Sequence, residues 1–345
     1  MTISVIEERV KEPTAFITLV VLNFNGKIRL KRCLDSLLTT NYPNFQVVVV
    51  DNGSTDMSVE FVNTNYPNIK VIKHNHNYGF AQGYNLAMDV IDSEYIAFVN
   101  NDIIVEPNWL RALIAPLRNN KNAAAATPKM LFLDNPTLIN AAGGSCDVYC
   151  VGLNRGNGEV DRGQYDSLEE VFYGNGGALL VKNRVWREIG PFDERYFMYG
   201  EDVDWCWRAR LRGYKIIYVP NSRVYHQWRG SRESQMIYVL ERHWLSTILK
   251  NYSLKTLVFL IPKFAGLKFL KAVWLIRNGR SNEKLAVVKA IFWNIINLRT
   301  TWQKRVQIQT FRTLHEAAIK RHMFKQSFEL LLWLGILKHP ILKRK

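Results

Sequence analysis

The sequence predicts an α/β protein: a mostly parallel sheet with helices on both faces, then a basic helical extension. Apolar, β-branched runs recur at residues 16–22, 47–50, 69–72 and 95–99, each followed by a polar cluster and a helix-like segment. Continuous Val/Ile strands separated by enough chain for a crossover helix belong to a parallel sheet buried on both faces. Charge divides the chain as well. Residues 235–345 hold 21 Lys+Arg against 4 Asp+Glu, whereas residues 1–234 hold 25 against 26. The net charge of +16 therefore sits in the last third.

A chain of 345 residues that is 48% hydrophobic can bury a substantial core, which excludes disordered, collagen-like and coiled-coil classes. Its length fits two domains, or one α/β domain with an extension. Cys33, Cys146, Cys150 and Cys206 form no CxxC, and Cys146 and Cys150 lack a second pair at metal-ligand spacing. They read as reduced, buried thiols of a cytosolic protein. Residues 1–13 lack the basic-then-apolar layout of a signal peptide. Residues 257–276 are apolar, but Pro262, Lys263, Lys268 and Lys271 interrupt them, so the stretch reads as interfacial rather than spanning.

In order along the chain, residues 28–38 place Leu30, Leu34, Leu37 and Leu38 on one helix face. Each predicted strand ends in ligand-competent groups: Asn23 and Asn25, Asp51, Asn75 and Asn77, then Asn100 and Asp102. Ligands of open α/β sheets bind outside the carboxyl ends of strands, so these ends mark the expected binding edge. Gly-rich stretches at 142–145, 152–158 and 174–177 suggest long loops. A helix follows Gly200 with Val203, Cys206, Trp207 and Leu211 on its apolar side. Residues 215–219 read as a strand stopped by Pro220. Beyond 235 the periodicity is helical, with Leu285, Val288, Phe292 and Ile295 on one stripe.

Several constellations suit chemistry. Asp51, at a strand end, suits a base or ribose contact, while Asp56 suits helix capping. Asp102, with Asn100 and Asn101 before it, suits either a polar turn or a hard divalent cation. Glu201, Asp202 and Asp204 open a helix, where acids gain about 0.3–1 kcal/mol each from the macrodipole. Asp204 also pairs with Arg208 at i,i+4. Three acids exceed what capping needs, and an ionised carboxylate is what abstracting a proton from a hydroxyl requires. His226 reads as structural unless the fold brings it to Asp102, where imidazole would bind Mn²⁺ or a similar ion. Asn77, Gly79, Gly83 and Asn85 permit close backbone approach without forming a Walker loop or GxGxxG, and neither of those occurs in the chain.

Taken in order, these motifs resemble a family 2 inverting glycosyltransferase with the GT-A fold, nearest its rhamnosyltransferase-like branch. The resemblance runs through Val20–Gly26, Cys33–Leu37, Asp51–Asp56, Asn77–Asn85, Phe98–Asp102, Gly176–Ala178, Gly190–Glu194 and Gly200–Arg208, and closes with His226 and Ser231. It implies an N-terminal extension (1–14) and a catalytic domain (15–235), whose nucleotide-binding half spans about 15–105 and acceptor half about 106–235. An amphipathic basic helical region (236–345) follows. Asn23, Asn25, Asp51, Asn77, Gly79, Asn85, Asn100 and Asn101 would bind the nucleotide-sugar, and Asp102 and His226 the divalent metal (Mg or Mn). Asp202 would be the general base with Glu201 beside it, and Gly176, Gly177 and Trp205 would line the acceptor side. Asn100 replaces the first Asp of the family's Asp-x-Asp, which implies a weaker hold on the metal. Gln227-Trp228-Arg229 lacks the Gln-x-x-Arg-Trp order of processive members, so one sugar, or a few, would be transferred.

The expected partners are a nucleotide-sugar donor, a glycan or lipid-linked acceptor, and an anionic membrane surface contacted by the basic, Trp-bearing tail. That places the protein on the cytoplasmic face of the cell membrane. Nucleic acid is not expected, since no recognised module accompanies the charge. A non-catalytic sugar-nucleotide or polysaccharide-binding protein on the same fold is the rival reading. A nucleotidyltransferase is disfavoured because Asn23–Lys27 supplies no triphosphate loop.

Overall fold

The computed structural model describes residues 14–227 and 233–334; Ser231, Trp228 and Arg229 of the expected motifs lie outside them. The described residues begin with four strands, β1 (Ile17–Asn23), β2 (Phe45–Asp51), β3 (Lys70–Lys73) and β4 (Tyr95–Asn100). They pair in parallel in the order β3-β2-β1-β4, joined by α1 (Lys27–Leu37), α2 (Ser58–Asn65) and α3 (Gly79–Met88). Strand alternation sorts the side chains between two apolar layers. Leu19 and Val21 pack with Leu30 and Leu34 on one face, while Val20 packs with Ala81 and Tyr84 on the other. The expected parallel sheet, covered on both sides, is present.

The second half widens this sheet. It contains β5 (Ile103–Val105), α4 (Trp109–Asn119), β6 (Ala123–Phe132), β7 (Ile139–Ala142), β8 (Gly144–Cys146), β9 (Gly152–Asn154) and β10 (Glu169–Val171). After these come β11 (Ala178–Lys182), α5 (Asn183–Ile189), α6 (Glu201–Leu211) and β12 (Lys215–His226). β11 inserts antiparallel between β4 and β6, and β12 lies parallel to β6. The expected stop at Pro220 does not occur. The β6 register shifts between Val219 and Arg223, so Pro220, which has no N–H, sits at an irregularity and the strand runs on to His226. All four cysteines are buried and free, as expected of structural thiols.

Six helices follow: α7 (Glu233–Asn251), α8 (Leu254–Arg277), α9 (Ser281–Ile296), α10 (Leu298–Phe311), α11 (Glu316–Lys320) and α12 (Phe328–Trp333). Among the described residues no helix is long and apolar enough to cross a membrane. Lys268 and Lys271 do more than interrupt an apolar run. Both are buried in a four-membered cluster, where Lys268 lies 2.8 Å from Glu241 and 2.6 Å from Glu329, and Lys271 also pairs with both acids.

Lys250 of α7 ties this helical region to the sheet domain. Its fully enclosed ammonium lies 2.6 Å from Asp193 and 3.0 Å from Asp204. Asp193 also pairs with Arg195 and Lys304, and Asp204 with Arg208. Burial alone would raise the Asp193 carboxyl, but Lys250, Arg195 and Lys304 outweigh it and hold it well below the usual carboxylate range. Lys250→Met leaves two buried carboxylates short of a cation and is expected to cost about 3–5 kcal/mol, read as a lowered urea midpoint. Because the folded pKa of Asp193 is depressed, its stabilisation is complete above the unfolded value of about 4 and lost as pH falls below it. Acid titration followed by circular dichroism should show unfolding in that range, shifted to higher pH in Lys304→Met.

Candidate functional site

The carboxyl ends of β1, β2 and β4 are bound together by amides. Asn23 is fully buried: its Nδ2 donates to Asp51 Oδ1 (3.1 Å), and its Oδ1 accepts from Asn101 Nδ2 (2.7 Å). Asp51 Oδ2 accepts from the backbone N–H of Ser54 (2.9 Å). Asn25, at φ +45°, accepts from the Thr55 N–H (2.8 Å), which joins the loop after β1 to the loop after β2. Asp56 accepts from the N–H groups of Lys27, at the start of α1, and Ser58, at the start of α2; the N-cap position of α2 is Met57, so Asp56 ties two helix starts together where a cap of the following helix alone was expected.

Asn52, not singled out in the sequence, clamps the α3 entry. Its Nδ2 donates to Asn77 Oδ1 (3.0 Å) and Gly79 O (2.8 Å), and its Oδ1 accepts from the Tyr78 N–H (3.2 Å). Gly79 has φ +77°, and a Cβ there would run into the Phe197 carbonyl, which accepts from the Phe80 N–H. The loop after β2, the α3 entry and the 190s loop therefore meet. Asn85 is spent on that junction. Both ends of its amide bond the backbone of Phe192 (2.9 and 3.1 Å), so it braces the 190s loop where a nucleotide contact was expected.

Gly176 and Gly177 connect this edge to the acidic helix. The Gly177 carbonyl accepts from the Asn100 N–H (2.9 Å), and the Gly176 N–H donates to Asp202 Oδ2 (3.0 Å). A Cβ on Gly176 would stand 3.0 Å from the Phe80 ring and 3.5 Å from Asp202 Cβ. Two residues without side chains thus place the Asp202 carboxylate one peptide away from the strand end that carries Asp102. Burial raises the carboxyls of Glu201 and Asp202, and the Asp202 charge pushes Glu201 further. The N–H groups of Gly176 and Val203 oppose the rise at Asp202, so the proton of the pair favours Glu201, and Asp202 is the stronger candidate base. Asp204, in contrast, faces Arg208 and Lys250 and is structural.

Trp205 does not line an acceptor side. It is fully buried, stacked on Trp186 at 5.6 Å, and its indole N–H donates to Gly190 O (3.1 Å). Helical spacing explains this, since one residue after Asp204 the helix faces α5 and the core. The turn before α6 has a brace that no local motif announces. His243 of α7 stacks on Tyr196 at 4.1 Å, bonds Tyr199 O through Nδ1 (2.5 Å), and accepts from Arg242 through Nε2 (2.8 Å). Burial and Arg242 lower its pKa to about 3, so it stays neutral.

His226, at the end of β12, reaches Asp102: Nε2 lies 3.5 Å from Asp102 Oδ1. Asn140 Oδ1 accepts from Nδ1 (3.0 Å), which orients the ring with Nε2 towards Asp102. Asp102 Oδ1 is buried and accepts no hydrogen bond among the described residues. A carboxylate oxygen and an imidazole nitrogen brought this close are groups that can ligate a hard or borderline divalent cation. No group of three or more His, Cys, Asp or Glu residues suits a metal among the described residues, so the ligand itself and water would have to complete the shell.

Residues 18–183 match the model of Glycosyl transferase family 2. The domain belongs to that family. The N-acetylglucosaminyl-diphospho-decaprenol L-rhamnosyltransferase of Mycobacterium tuberculosis is 26% identical over 260 residues, covering 68% of this chain and 84% of that protein. A pre-mycofactocin glycosyltransferase of the same species is 28% identical over 222 residues, 62% of this chain but 43% of its own length, so the chain spans under half of that relative. A mannosyltransferase from Pyrobaculum calidifontis in complex with GDP-Man and Mn²⁺ has the same fold, with a TM-score of 0.53 at 13% identity over 87% of this chain and 89% of that one. The glycosyltransferase domain has the GT-A architecture.

The amide network makes a direct prediction. Asn23→Ala leaves Asp51 Oδ1 and the Asn101 amide each short of a buried partner, which should cost about 1–3 kcal/mol in urea unfolding. It should also weaken nucleotide binding in calorimetry, although Asn23 itself is enclosed.

Proposed function

We propose that this glycosyltransferase moves one sugar from a nucleotide-diphosphate sugar, of dTDP-rhamnose or UDP-sugar type, to a hydroxyl of a glycan or lipid-linked acceptor in surface polysaccharide or glycoconjugate synthesis. The observation that carries the reading is the Gly176–Gly177 bridge, which sets Asp202 beside the Asp51/Asp102 edge. The relative that acts on a decaprenol-linked sugar supports the acceptor class.

In this reading Asp51, with Asn25, Asn77, Gly79, Asn100 and Asn101 around it, receives the nucleotide, and Asn23 and Asn85 hold the receiving loops in place. Asp102 and His226 would hold a divalent metal, Mg or Mn, and the chemistry such an ion would supply there is positive charge beside a departing diphosphate. Gly176 and Gly177, on the acceptor side, let the Asp202 carboxylate approach the end of β4, where a side chain would push it away. Asp202 takes its proton as the oxygen attacks the anomeric carbon and nucleoside diphosphate departs from the opposite face, inverting the centre. The Gly176 and Val203 N–H groups each bond one Asp202 oxygen and so fix the orientation of the carboxylate.

Asp202→Asn should lower turnover by about 10²–10⁴-fold, the range of general base catalysis, while donor binding by calorimetry stays near wild type. Retained turnover removes Asp202 from the role. Since burial raises the Asp202 carboxyl and the base must be ionised, the rate should fall on the acid side at a pH above the ordinary carboxylate value of about 4. Nucleoside-diphosphate release from a panel of sugar nucleotides, with Mn²⁺ and with chelator, identifies the donor. Release in no condition favours the non-catalytic binding protein.

A further inference from the structure

We propose that the outward faces of α8 and α9 dock this protein on an anionic lipid bilayer, lying on the surface without crossing it. More than half of the large apolar side chains that the described residues leave exposed fall between Leu254 and Val306. The arrangement on α9 is inverted. Ala286, Val287, Ala290 and Asn294 face the protein, while Val288, Phe292 and Ile295 face out, Phe292 and Ile295 each 62% exposed. α8 buries Leu257, Leu260, Phe264 and Leu267, yet also exposes Phe259, Phe269 and Leu270. Bulky apolar faces of this extent mark an interaction surface.

The charges identify the partner. Lysines of α8 that face the protein meet acids: Lys268 and Lys271 are enclosed with Glu241 and Glu329. The fully outward cations differ: Lys255, Lys263, Lys289 and Arg299 are exposed and form no ion pair among the described residues, whereas the half-buried Arg280 and Lys304 pair with Glu283 and Glu194. Residues 254–311 hold eleven Lys+Arg and a single acid, Glu283. A second copy would bring like charge against like charge. A bilayer with anionic headgroups satisfies both components, since Lys and Arg near its surface gain about 1 kcal/mol each and the aromatic and aliphatic groups enter the headgroup–acyl boundary. No described helix can span, which leaves a surface mode of binding. The inference concerns binding alone and stands whether or not the reaction above is correct.

The test is co-sedimentation of the full chain with vesicles of phosphatidylcholine alone and of phosphatidylcholine with one-quarter phosphatidylglycerol. Binding to the anionic vesicles should exceed that to neutral ones by at least about tenfold and weaken in high salt. A Phe259→Glu/Phe292→Glu variant, both positions being exposed, should lose binding while keeping the wild-type circular dichroism spectrum and melting midpoint. Absence of binding to anionic vesicles overturns the proposal, as does equal, salt-insensitive binding to both kinds. So does a lipid-free dimer in sedimentation velocity that the same variant dissolves, which would give the face to a second copy.

Discussion

One buried ammonium holds the two halves of this molecule in a fixed relation. Lys250 sits between Asp193, on the loop before α6, and Asp204, within α6. Three charges out of water are tolerable only together, because each carboxylate enclosed alone would cost several kcal/mol. The helical region is therefore part of the scaffold that sets the start of α6. The stacked His243–Tyr196 pair and the His243 bond to Tyr199 act on the same turn from the same helix. Glu201 and Asp202 thus stand at a point fixed from outside the family domain.

The site itself is built from contrast. At the carboxyl ends of β1 and β2 the polar groups are well paired: Asn23 bonds Asp51, Ser54 and Asn101, Asn52 bonds Asn77 and neighbouring backbone, and Asp51 is held by Asn23 and Ser54. On the two sides of the diglycine bridge, Asp102 Oδ1 and Glu201 Oε2 are buried without hydrogen-bond partners among the described residues. Unsatisfied buried oxygens are costly, and proteins keep them where chemistry uses them.

Legibility in the sequence followed distance along the chain. The parallel sheet was readable because each strand is a local Val/Ile run, and the α6 helix because Gly200 and its acids mark its start. The pairing of Asp102 with His226 needed the resemblance, since 124 residues separate them. Trp205 was misplaced because an aromatic in an acid-rich helical turn looks available until Trp186 and Gly190 are seen to cover it. Lys268 and Lys271 read as breaks in an apolar stretch because their acids, Glu241 and Glu329, lie on other helices. Asn52 carried a signal, its position directly after Asp51, whereas His243 carried none: only α7 packing on the Tyr196–Tyr199 turn reveals its use.

The cross-bonded loops after β1 and β2 have a thermodynamic corollary. Asn25, Ser54 and Thr55 are tied to one another by hydrogen bonds within the chain, and immobilising flexible loops is one of the penalties that weakens association. Any ligand received by this cradle would meet loops braced by the chain itself, so little configurational freedom would be surrendered on that side. Whatever ordering accompanies complex formation must then come chiefly from elsewhere in the molecule or from the guest.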